Sequence, residues 1–93
     1  MPMCNPPHPG ELLREDVLPA LGLTSIALAR HLDFLENAVL DVLAGHSSIS
    51  ADLALRLELA GLGSARHWLA MQMAYDLWQA QQRDRPTISP LYP

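Results

Sequence analysis

The chain has 93 residues, 49% of them apolar, and its ten acids, six arginines and complete lack of lysine give a formal net charge of −4. A chain of this length can bury one small core, which is marginal alone and gains from dimerisation, and its charge excludes a basic surface over the whole molecule. The single cysteine, Cys4, excludes an internal disulfide and points to a reducing, cytoplasmic setting.

The longest apolar runs, residues 25–29 and 51–57, are interrupted by polar residues well short of a membrane span. No basic start followed by an apolar stretch marks an export signal. Residues 1–8, rich in proline, read as an extended arm, because proline lacks the donor that helices and central strands use. A first helix is expected over residues 10–18. Leu13 and Val17 form its inner face with Leu12 alongside, Glu11, Arg14 and Glu15 point to water, and Pro19 ends it. His8 is expected to fix the Pro9-Gly10 start of this helix. Gly22 then breaks the chain and Thr24 caps a second helix over residues 25–32, with Leu28, Ala29 and Leu32 inward.

Residues 24–43 form two short helical patterns separated by a turn at Asp33 and Phe34, the layout of a helix-turn-helix. Ala29 stands where the two helices cross closely. The third helix, residues 35–44, turns Val39, Val42 and Leu43 inward and stops at Gly45. A short loop leads to Ser50, which caps a fourth helix over residues 51–60 carrying Leu53, Ala54 and Leu57. Gly61 and Gly63 break that helix. A long fifth helix follows Ser64 and reaches about Gln82, and the row Trp68, Leu69, Met71, Gln72, Met73, Tyr75, Leu77 and Trp78 reads as an apolar surface wrapping most of it. Residues 9–82 are therefore read as one all-α domain of five helices, and residues 83–93 as a flexible tail with three prolines.

Taken together, these words of sequence are similar to the HigA-type antitoxins, a branch of the Xre or lambda-repressor-like helix-turn-helix family. The resemblance rests on residues 8–15 (HPGELLRE), 21–23 (LGL), 49–57 (ISADLALRL), Trp68-Leu69, Gln72 and residues 74–77 (AYDL), and it spans about residues 8–82. It implies a homodimer that binds a palindromic operator upstream of its own genes, represses them and pairs with a ribonuclease toxin. The chain departs from the family where DNA would be read. Glu36 and Ala38, both expected to face solvent, stand where the family has arginine, and Leu40 stands where it often has asparagine. Across residues 24–50, one arginine faces Asp33, Glu36 and Asp41, a formal charge of −2. Little counterion release is therefore expected on binding DNA, and a shallow dependence on salt.

The groups left for double-stranded DNA are Thr24, Ser25, Asn37, His46, Ser47 and Ser48, with Arg30 for backbone phosphate and Glu36, Ala38 and Leu40 on the same surface. The plain alternative is that Thr24 and Asn37 only cap helices, the serines only form a loop, and Arg30 pairs with a surface acid. Trp68, Met71, Tyr75 and Trp78 read as a dimer interface rather than a cofactor box. The four histidines and Cys4 lack metal-ligand spacing, Glu15 and Asp16 diverge around a helix, and no phosphate loop or nucleophile elbow is present, so no cofactor, metal or enzymatic activity is expected. Two functions follow: a DNA-binding regulator of the antitoxin type, or a degenerate helix-turn-helix that binds protein rather than DNA.

Overall fold

The computed structural model describes residues 5–92, so the arm's residues 1–4, Cys4 among them, lie outside it. Five helices follow one another, and no strand occurs among the described residues. The first, α1 (residues 9–21), is composite: α-helical over Pro9–Leu12, π-helical over Leu13–Val17 and α-helical again over Leu18–Leu21. It is followed by α2 (Ser25–His31), α3 (Glu36–Leu43), α4 (Ala51–Leu59) and α5 (Ala65–Gln81).

Pro19 does not end α1. The Leu18 amide donates to Leu13, one residue further back than in an α-helix, so the turn just before Pro19 is widened. That widening gives the proline ring room where a regular helix would press it against the carbonyl four residues earlier. The helix stops instead at Gly22, whose φ of 65° lets the Gly22 and Leu23 amides fold back onto Pro19 and Leu18.

The core gathers Leu13 and Leu18 from α1, Leu28, Ala29 and Leu32 from α2 and its end, Val39, Val42 and Leu43 from α3, and Leu53, Ala54 and Leu57 from α4. Ile49, Ala65 and Trp68 close it, and Val17, expected inside, packs half-buried at its edge. Each fully buried leucine contributes about 1.5–3 kcal/mol. Hydroxyl caps begin α2, α4 and α5, where Thr24, Ser50 and Ser64 accept from Ala27, Leu53 and His67, each at 3.1 Å.

Helix α5 is not uniformly apolar. Gln72 is buried, whereas Met73 and Leu77 are 70% and 58% exposed. Trp68, expected at a dimer interface, is 2% exposed and is a core residue whose indole N–H donates to Leu62 at 2.9 Å. It has no surface left to offer a partner.

Candidate nucleic-acid interface

Helix α2 ends in a left-handed turn. Asp33 has a φ of 53°, its amide donates to Arg30, and the Phe34 amide donates to Ala29 at 3.0 Å. The other helices that end this way use Gly22, Gly45 and Gly61, and Asp33 takes the same conformation because a short polar side chain tolerates it better than most. Arg56 of α4 holds the turn from below. Its Nη1 donates to the carbonyls of Leu32 at 2.9 Å and Asp33 at 2.6 Å, its Nε pairs with Asp52 at 3.0 Å, and the guanidinium lies 5.4 Å from the Phe34 ring centre.

The turn delivers α3 with its outer side exposed. Leu35 precedes it in extended conformation and supplies no side-chain acceptor, so the first-turn amides of α3, unlike those of α2, α4 and α5, meet no capping hydroxyl. Amides left free at a helix start face outward with the positive end of the helix dipole. Glu36 and Asn37 are exposed in this turn, and Asn37 is not a cap. Ala38, expected to face solvent, is half-buried. Leu40 is 40% exposed and meets Ser25 across a cleft of about 340 Å³ that is also lined by Arg14, Leu18, Leu43 and Ala44.

Arg30 is exposed and pairs with Glu36 at 3.4 Å, a surface contact that holds neither side chain firmly. Thr24 is exposed as well as capping. Beyond α3, His46, Ser47 and Ser48 are exposed in the loop, but the amides of His46 and Ser47 both donate to Asp41, at 2.8 and 3.2 Å. Side chains, not amides, are what this part of the loop can present. One surface thus carries Ser25 beside Leu40 and Arg30 beside Glu36.

Several residues that shape this surface escape a reading by local spacing. Arg14 does not point only to water: besides Glu15 it donates to the Leu43 carbonyl at 2.8 Å, capping the end of α3. Gly10 packs its backbone against Val42 so closely that a Cβ would lie 1.8 Å from that carbonyl oxygen. His8, assigned to the arm, is buried, and as expected its Nδ1 accepts from the Gly10 amide, at 2.9 Å. Burial pushes its pKa below the usual histidine range, against the opposing pull of a Ser47 backbone hydrogen bond and the Asp76 charge. Gln72, read as part of an apolar row, accepts from the Ile49 amide at 2.8 Å.

No protein-family profile matches the chain. It is 42% identical over 86 residues to virulence-associated protein I of Dichelobacter nodosus, covering 92% of this chain and 79% of that one. It is also 31% identical to antitoxin HigA-1 of Vibrio cholerae, across 89% of this chain and 81% of the relative. The chain belongs to the HigA antitoxin family. Its fold agrees: the HigA antitoxin of Pseudomonas aeruginosa, solved with the higBA promoter, superposes with a TM-score of 0.77 at 39% identity over 81% of this chain and 82% of that one. The helix-turn-helix expected from sequence is therefore the α2–α3 pair of a HigA fold. In this HigA-family chain α3 is acidic and apolar: Glu36, Leu40 and Asp41 are exposed and no arginine or lysine occurs in it.

Proposed function

We propose that this HigA-family chain is a non-enzymatic, cytoplasmic repressor that binds double-stranded operator DNA upstream of its own gene and neutralises a ribonuclease toxin. The observation that carries the reading is the exposed α3 behind a turn fixed by Arg56, in a fold shared with a HigA antitoxin solved with promoter DNA. Helix α3 enters the major groove, where Asn37 is the side chain able to pair with a base edge and Leu40 meets a thymine methyl. Thr24, Ser25, Ser47 and Ser48 meet the phosphate backbone together with the uncapped first-turn amides of α3 and with His46. Arg30 leaves Glu36 for a phosphate at small cost, because their exposed pair is worth little. Ala38, half-buried, spaces the helix rather than touching DNA.

A homodimer presents two copies of α3 about 34 Å apart, one duplex turn. Met71, Tyr75 and Trp78, half-buried on α5, form its interface together with the exposed Met73 and Leu77.

The test is fluorescence anisotropy with the chain's own upstream duplex at several salt concentrations. A specific complex is expected, with a shallow logarithmic slope of about −0.9 for each phosphate that Arg30 neutralises. Glu36→Arg, at an exposed position, should tighten binding to any duplex and steepen that slope without changing the helical content. Absence of a specific complex at low salt would refute the proposal.

A further inference from the structure

The loop between α3 and α4 is held at both ends. At the near end, the His46 and Ser47 amides donate to the Asp41 carbonyl. At the far end, the Ile49 amide donates to Oε1 of Gln72 at 2.8 Å, and among the described residues this is the one hydrogen bond between α5 and residues 44–50. The bond is shielded from water, since Ile49 is 3% exposed and Gln72 5%. Gln72 is itself fixed. Its Nε2 donates to Oδ1 of Asp76, one turn further along α5, at 2.9 Å, which leaves Oε1 as the end that faces Ile49. Beside this hold runs a groove of about 570 Å³, lined by Ser48 and Ile49 from the loop and by Gln72, Met73, Asp76 and Leu77 from α5. Packed side chains do not fill the space next to Ser48.

We propose that Gln72, oriented by Asp76, is a positioning residue for DNA binding: it sets the loop so that the hydroxyls of Ser47 and Ser48 meet the phosphate backbone. The hold itself is independent of DNA, and its consequence rests on the DNA-binding reading.

Without the Gln72 oxygen, the Ile49 amide would be a buried donor with no acceptor, which costs more than a typical hydrogen bond contributes. The chain relieves that cost by letting the amide reach water, and the open groove gives it room to do so. Ser48 is bonded to Ile49 and moves with it. A hydroxyl-to-phosphate hydrogen bond of about 2.7 Å is lost on a displacement of about 1 Å. Affinity therefore falls although no group that touches DNA has been removed.

The test is a double-mutant cycle in the full chain, read as affinity for the upstream duplex. Ser47→Ala and Ser48→Ala, introduced together at exposed positions, should weaken binding about tenfold. Gln72→Met keeps the length and shape of the side chain without its acceptor, and should by itself weaken binding about five- to tenfold. In that background the serine replacements should cost less than about twofold, because the hydroxyls are already misplaced. A role confined to stability would leave the serine penalty at its full size. Asp76→Ala, at an exposed position, decides the matter if the Gln72 variant does not fold: it should reduce the serine penalty to about threefold, and the lost charge cancels because the penalty is a ratio within one background. A penalty that is the same in every background, or absent from the wild-type chain, would overturn the proposal. A second arm needs no DNA. Gln72→Met should speed hydrogen exchange at the Ile49 amide about tenfold or more while the amides of α2 and α3 keep their protection. Unchanged exchange at Ile49, or equal acceleration at every amide, would also overturn it. Faster exchange confined to the loop, in a chain that binds no duplex, would place the failure in the DNA reading and not in the hold.

Discussion

At the scale of single residues, the close approach of α1 to α3 depends on the missing side chain of Gly10. A Cβ there would lie 1.8 Å from the Val42 carbonyl oxygen and 2.7 Å from its carbon, and neither atom can rotate away because both are backbone. Gly10→Ala must push the two helices apart. It should cost at least about 3 kcal/mol, the upper end of ordinary overpacking, where the neighbour is a flexible side chain. Denaturant titration measures this, and a loss below about 1 kcal/mol would show that the helices part more easily than the packing implies. His8 next door shows how one residue combines two tasks, since the nitrogen that caps α1 belongs to the ring that also packs on Tyr75.

At the scale of elements, the geometry between α2 and α3 is held by a residue of α4. Arg56 satisfies the carbonyls of Leu32 and Asp33 at the end of α2, where no intrahelical donor remains, and covers Phe34. Its pair with Asp52 is exposed and adds little. Arg56→Ala should therefore cost about 1.5–3 kcal/mol through the lost charge-assisted bonds to carbonyls. Arg56→Lys should recover only a small part, because a single ammonium cannot reproduce the guanidinium fork. Thermal unfolding of the two variants checks this. Equal and full recovery by lysine would mean that charge, not the fork, secures the turn.

At the scale of the whole molecule, α5 buries Trp68 and Gln72 towards the core and leaves Met73 and Leu77 outward, so its two sides have different tasks. Replacing Met73, 70% exposed, by glutamate leaves the protomer intact but puts a charge in the proposed dimer interface. Light scattering should show a wild-type dimer and a Met73→Glu monomer. Operator affinity should then fall by about a hundredfold or more, because the second half-site contact is no longer intramolecular. A dimeric Met73→Glu protein would place the interface elsewhere.

Sequence alone determined the number and order of the helices, the hydroxyl caps Thr24 and Ser50, the presence of a turn at Asp33 and most of the core, because each depends on residues three or four positions apart or on local capping and turn chemistry. The resemblance in residues 8–15 and 49–57 likewise carried the family. Only the tertiary structure decided which polar groups go inside and what they hold. Arg14 reaches a carbonyl 29 residues away, Arg56 one 24 residues away, and Gln72 an amide 23 residues away. No local spacing encodes such distances. Trp68 and Trp78 are indistinguishable as members of an apolar row, yet one is core and the other is half-exposed, according to which side of α5 meets the rest of the chain. Pro19 is the same lesson in the backbone, since a proline that locally ends a helix is carried through it once a widened turn makes room for the ring.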